Sequence, residues 1–125
     1  MTPIERLDTL GVTMSNHIPL GVGEYQRKRW LLVLRRDDYE KVIYAEITMG
    51  SALKEPTRED LVHCLLTDFQ THRDYRDIGD IMTEFGSDYQ EARRLKKGCK
   101  ESAKKLKALF SLAEIADLEE AFQDY

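Results

Sequence analysis

The 125-residue sequence has few of the features that mark secreted, fibrous or membrane proteins. Two cysteines, Cys64 and Cys99, are too few for a disulfide scaffold and lack CxxC spacing, so both are predicted to be small buried residues. Seven glycines and three prolines exclude collagen-like and low-complexity chains. No apolar run exceeds five residues, and the N-terminus lacks the basic start and apolar stretch of a signal peptide. These absences predict a cytoplasmic protein with no membrane span.

Motifs of the common enzyme classes are also missing. No P-loop, GxSxG, HExxH or dinucleotide-binding fingerprint occurs. The histidines are far apart in sequence, and His63 beside Cys64 on one helix cannot direct both side chains to one metal. His63 is therefore predicted to be a rim or core residue. We expect no enzymatic activity, no cofactor and no metal.

Cys99 is the remaining candidate for catalysis. Its lysine neighbours Lys96, Lys97 and Lys100 would lower the pKa of its thiol and favour a nucleophile. Its place in an apolar helical seam predicts burial and inertness instead.

The composition is that of one folded domain over residues 1–125. Apolar residues make up 42% and charged residues 34%, enough to build a core and to exclude disorder. No repeat or linker divides the chain. The predicted fold is α+β, with a small antiparallel sheet, its hairpin at about 29–49, packed with a short N-terminal helix and a C-terminal helical bundle.

The sheet is predicted from two β-rich runs, 29–36 and 39–49, on either side of Asp37-Asp38. In the second run, alternation places Ile43, Ala45, Ile47 and Met49 on the inner face and Val42, Tyr44, Glu46 and Thr48 on the outer one. A third strand between 12 and 20 is possible. The Gly21-Val22-Gly23 stretch is predicted to be a turn before the hairpin.

Capping signals and helical spacing predict five helices. They cover about 2–10, 57–69, 75–85, 88–110 and 111 to near the terminus. The first carries a stripe of Ile4, Leu7 and Leu10 that lies on a larger body. The longest carries a buried seam of Ala92, Leu95, Cys99, Ser102, Leu106 and Leu109.

Charge is distributed unevenly along the chain. The net charge is −4, but it is +1 over residues 1–54, −7 over 55–91, +7 over 92–107 and −5 over 108–125. A basic helix thus lies between two acidic segments, and either charged segment is a candidate surface.

The basic helix 92–107 could contact the phosphates of a polyanion. Its candidate residues are Arg93, Arg94, Lys96, Lys97, Lys100 and Lys104. The alternative is a solvated face that forms ion pairs with Glu114, Glu119 or Asp88. Because about half of the bases are expected to face one duplex, binding of free nucleic acid is predicted to be weak, on the order of 10 to 100 μM.

The acidic segment 55–91 could imitate a phosphate backbone and occupy the nucleic-acid groove of a partner protein. Its candidate residues are Asp68, Asp74, Asp77, Asp80 and Glu84. The alternative is a solvated helix face.

The two ends of the chain carry a resemblance. The chain is similar to a widespread group of small phage and prophage proteins in several short motifs. These are Thr2-Pro3-Ile4-Glu5-Arg6-Leu7 with Leu10-Gly11-Val12-Thr13, then Pro56-Thr57, Asp60-Leu61, Cys64-Leu65, Glu84-Phe85-Gly86 and a final Asp124-Tyr125. The matches are short motifs scattered over most of the chain. What the resemblance implies is a shared fold and a phage origin.

Phage accessory proteins of this size commonly bind a host or rival protein, and anti-CRISPR proteins are frequent among them. By that analogy the resemblance implies an inhibitor of a bacterial defence system, acting in the host cytoplasm by stoichiometric binding to a protein or nucleoprotein complex. The alternative is a small nucleic-acid-binding regulator that uses the basic helix 92–107.

Overall fold

The computed structural model describes the backbone of residues 1–21, 26–49 and 55–125, and the side chains of 1–16, 29–45 and 55–125. Along the chain follow α1 (Pro3–Thr9), β1 (Val12–Gly21), β2 (Gln26–Arg36), β3 (Tyr39–Met49), α2 (Arg58–Asp74), α3 (Ile78–Phe85), α4 (Tyr89–Leu109) and α5 (Leu112–Ala121). The predicted α+β fold is confirmed. The possible third strand exists as β1.

The three strands form one antiparallel sheet in the order β1-β2-β3. Trp30 pairs with Ala45 on one side and with Asn16 on the other, which sets the register. The inner face consists of Val12, Met14, Trp30, Leu32, Leu34, Ile43 and Ala45. Val42 and Tyr44 are exposed on the outer face, as their alternation predicts. The side chains of Ile47 and Met49 and the stretch 22–25 lie outside the described residues.

A helical layer covers the inner face of the sheet. Helix α2 packs along α4, and both contact the strands, while α1 bridges β1, α2 and α5. Their shared core includes Leu61, Leu65, Leu106, Ile115 and Leu118. The fold thus holds α4, which carries the basic segment, with one side against the core and the other sides open to solvent.

Several sequence-based details are wrong. Ile4 is 55% exposed, so the stripe of α1 is reduced to Leu7 and Leu10, and Leu7 belongs to the core. In α4 the buried residue is Ala103, whereas Ser102 lies at the edge of the seam. Cys64 is exposed. Each error has the same reason: helical spacing identifies a face, but the neighbouring element decides which residue at its edge is covered.

The second and third helices also differ from their predicted limits. The apolar stripe of α2 ends at Phe69, but the helix continues to Asp74. Its last turn is held by polar contacts, because Gln70 and Arg73 bind Glu119 of α5. Helix α3 therefore begins at Ile78, and its Phe85 is 48% exposed.

Gly11 joins α1 to β1 in a backbone conformation that favours glycine. Its φ is +74°, and a Cβ there would meet the carbonyl oxygen of Arg35 on β2. Gly98, in the middle of α4, has nothing within 4 Å of a Cβ position.

The same substitution at these two glycines is expected to have opposite effects. Gly11→Ala should lower the free energy of unfolding by more than about 1 kcal/mol, because it adds a backbone clash to an unfavourable φ. Gly98→Ala should raise it by about 0.5 to 1 kcal/mol through helix propensity. Urea denaturation followed by circular dichroism measures both, and a destabilised Gly98→Ala would contradict the open surroundings of that position.

Candidate anion-binding surface

The cations of α4 are concentrated on one side of the helix. At about 100° per residue, six of them fall within an arc of about 100° beside the buried seam. We call this set the basic flank: Arg93, Lys96, Lys97, Lys100, Lys104 and Lys107. Arg94, Lys105 and the acidic Glu101 lie outside the arc. The basic flank therefore presents six of eight cations in one direction, more than the half expected from the sequence.

A groove runs along the first part of the basic flank, where α3 packs on α4. It has a volume of about 550 Å³ and is lined by Ile78, Gln90, Arg93, Arg94, Lys96, Lys97 and Lys100. Ile78 is the apolar member of this lining. The groove thus offers mainly cationic side chains to a ligand.

The end of α2 extends the positive surface. Lys107 Nζ lies 5.8 Å from the ring centroid of Phe69, which places the end of α4 against the last turns of α2. The pKa of His72 is lowered, first by partial burial and then by the charges of Lys107, Arg76, Lys100 and Lys96. His72, which follows Phe69 by three residues on α2, therefore lies within range of the charges of the α4 lysines, and Arg76 adds a further positive charge close to His72.

The cations of the basic flank have no carboxylate partner among the described residues. The acids predicted to neutralise them are engaged elsewhere: Glu114 binds Arg36 of β2, and Glu119 accepts from Gln70 Nε2 at 2.9 Å and pairs with Arg73. Asp88 accepts the backbone N–H of Glu91 as the cap of α4. The prediction of ion pairs from the basic helix to Glu114, Glu119 or Asp88 is wrong. Glu114 and Glu119 pair with arginines of β2 and α2 instead, and Asp88 caps its own helix.

The five candidate acids do not form one surface. Asp68 is half-buried between α2 and α4, with its Oδ1 3.8 Å from Cys99 Sγ, and Asp74 binds Arg73 Nε at 3.2 Å. Asp77, Asp80 and Glu84 share one exposed face of α3 by their spacing. Asp77, Asp80 and Glu84 thus lie together, whereas Asp68 and Asp74 lie apart from them on α2.

The reactive-residue candidates lie in ordinary structural positions. Cys99 is 2% exposed, and its burial, followed by the carboxylate of Asp68, raises the pKa of its thiol to about 11. The lysines of α4 therefore do not activate it. His63 lies at the rim, stacked on Phe122 with ring centroids 6.2 Å apart and in contact with Tyr125 at 4.8 Å. In the described part of the chain, no three His, Cys, Asp or Glu side chains converge as a metal site.

No family model, curated protein or solved structure matches this chain. Within the described residues, no helix combines the length and the apolar character needed to cross a bilayer. The basic surface is accordingly interpreted from its own geometry.

Sequence reasoning missed His72 and Arg76 as members of this surface. His72 and Arg76 fall in a segment of net charge −7, so segment counting assigned them to an acidic region. Arg76 lies in the loop after α2, so helical spacing could not link it to His72, and only the packing of α2 on α4 brings His72 near the lysines.

Proposed function

We propose that this chain is a phage-encoded binding protein that inhibits a bacterial defence complex by stoichiometric association, without catalysis, and that the basic flank is its docking surface. The phage origin rests on the resemblance of the chain ends, and the choice of surface rests on the structure. The single observation that carries this choice is the alignment of six cations without carboxylate partners among the described residues.

The charge arrangement has a cost in the free protein. Within the basic flank, cations recur at i, i+3 and i, i+4, as in Arg93–Lys97, Lys96–Lys100 and Lys104–Lys107. Like charges at these spacings destabilise a helix by about 0.2 to 0.5 kcal/mol per pair. An anionic partner would remove that repulsion and would also be attracted to the surface before contact. Such an arrangement is typical of a binding surface.

The proposal predicts that reversal of Lys96, Lys97 and Lys100 to glutamate abolishes inhibition. The tagged chain would be expressed in a bacterium with an active defence system, and the plating efficiency of a restricted phage would be measured. Wild-type chain should raise plating, and the triple reversal should remove this effect. With the purified defence complex, the reversal should weaken association about 100-fold or more, because several contacts change from attraction to repulsion.

The matched control reverses Asp77, Asp80 and Glu84 of α3 to lysine, which changes the same number of charges on the neighbouring helix. This variant should keep both association and inhibition. If it loses them while the lysine reversal retains them, the acidic face of α3 is the docking surface. Unchanged plating with the folded wild-type chain against the defence systems of its host would contradict the proposed function itself.

A further inference from the structure

The surface of α4 continues across the end of α2, and this continuity identifies the chemistry of its ligand. We infer that the basic flank together with His72 and Arg76 forms a phosphate-backbone site that contacts the nucleic acid of the bound complex without reading its sequence. This inference rests on the proposed function and names the part of the partner that is touched.

The dimensions of the basic flank fit a nucleic-acid strand. From Arg93 to Lys107 the helix rises about 21 Å at 1.5 Å per residue. With phosphates every 3.4 Å of helix axis on one strand, this length spans about six phosphates, and the basic flank has six cations. His72, with Arg76 close to it, widens the track along its middle, within range of the charges of Lys96, Lys100 and Lys107. The surface thus offers a track of point charges with the length of about half a helical turn of a duplex.

The chemistry of the residues favours phosphate over a protein surface. Protein interfaces have an apolar or aromatic centre and are depleted in lysine. The basic flank consists of five lysines and one arginine, and the groove beside it has Ile78 as its apolar member. Interfaces with nucleic acid are, in contrast, polar and strongly positive. Between Arg93 and Lys107 no aromatic residue interleaves the cations, and the one ring beside them is that of Tyr89 in the first turn of α4, with the Arg93 guanidinium 5.7 Å from its centroid. Contacts to phosphate carry no sequence information.

His72 gives this site a spectroscopic signature. It faces Lys96, Lys100 and Lys107 of α4 and Arg76 four residues further on, while Asp68 lies one turn before it on α2. Burial and then these cations lower the pKa of its imidazole, and a bound phosphate chain would oppose the effect of the cations. On binding, the pKa of His72 should therefore rise.

Fluorescence anisotropy with a labelled 20-nucleotide oligo-dT tests the site on the full chain. We expect measurable binding at about 50 mM salt and a slope of log K against log salt of about −4, from about 0.7 per phosphate over six contacts. Arg93→Gln with Lys104→Gln should lower the affinity about tenfold or more at low salt and reduce the magnitude of the slope by about 1.4.

The control pair is Arg35→Gln with Lys105→Gln. It also removes one arginine and one lysine, but Arg35 is exposed on β2 and Lys105 lies outside the arc, and neither lines the groove. This pair should change the affinity less than about threefold, because it weakens only the long-range attraction and removes no phosphate contact. Equal losses in the two pairs would overturn the site, as would a salt slope that neither pair alters.

NMR titration of the histidines provides an independent readout. The pKa of His72 should rise when oligo-dT is added, whereas the imidazole resonances of His63, which lies on α2 against Phe122 and Tyr125, should keep their chemical shifts. If a polyglutamate peptide of equal charge competes as well as oligo-dT, the surface recognises acidic protein and the inference is wrong. If association with the defence complex depends on the basic flank but nuclease treatment of that complex leaves it unchanged, the inference fails and the proposed function stands.

Discussion

Leu106→Ala is expected to lower the free energy of unfolding by about 2 to 5 kcal/mol. Leu106 is fully buried on α4, where it joins the core shared by the sheet, α2 and α5. Truncation removes apolar contacts and leaves a cavity, because the surrounding close-packed core relaxes only partially. A small domain has about 5 to 15 kcal/mol of stability in total, so this one change removes a large part of it. Urea denaturation followed by circular dichroism gives the value.

The same substitution at Leu112 is the matched control. Leu112 begins α5 six residues later and is 68% exposed. Leu112→Ala should change the stability by less than about 0.5 kcal/mol. If the two variants were equally destabilised, the packing of α4 on the core would be incorrect.

Arg58→Met is expected to cost about 3 kcal/mol, although it lies far from the basic flank. Arg58 Nη1 donates to the carbonyl oxygen of Val12 at 2.6 Å, and its guanidinium also binds Asp8 and Glu59. One side chain therefore ties α1 and β1 to the start of α2. Its loss leaves the buried carboxylate of Glu59 without its cation, and an uncompensated buried charge is strongly destabilising.

The pH dependence of this variant provides the check. Burial alone would raise the pKa of Glu59, but hydrogen bonds from Arg58, its own backbone and Thr57, with the charge of Arg58, lower it below 4.5. In the wild type this contribution is present above pH 4.5 and is lost as the pH falls through the lower folded value. In Arg58→Met, burial dominates and the folded carboxyl binds its proton more readily. The difference in stability between the two proteins should therefore narrow between pH 7 and pH 4.

A second substitution separates the charge effect from lost packing. Arg58→Met combined with Glu59→Gln removes the uncompensated carboxylate and should be more stable at pH 7 than Arg58→Met alone. If the double variant is no more stable than the single one, the loss comes from the bonds to Val12 and Asp8.

Local rules predicted the starts of four of the five helices, α3 being the exception, because the interactions that begin a helix join close neighbours. The side chains of Thr2, Thr57, Asp88 and Ser111 each accept a backbone N–H three residues further on. The alternation of β3 likewise separates Ile43 from Val42. These features depend on the order of residues along a few turns, so they are readable in the sequence.

The candidate site was predictable only in part. The sequence indicates a basic helix, and regular helical geometry already orders its cations around the axis. Which acids are free to neutralise these cations depends on the tertiary structure. Glu114 is paired with Arg36, 78 residues away in sequence, and Glu119 with Arg73, 46 residues away. No window of neighbouring residues contains such pairs.

The sequence by itself determined the α+β class, the hairpin of β2 and β3, four of the five helix starts and the uneven charge. The tertiary structure decided that β1 completes the sheet, that Ala103 and not Ser102 enters the core, and that His72 and Arg76 join the lysines of α4. The physical reason is range. Hydrogen-bonded turns and side-chain periodicity act over three or four residues, whereas burial and charge pairing depend on which distant elements are packed together.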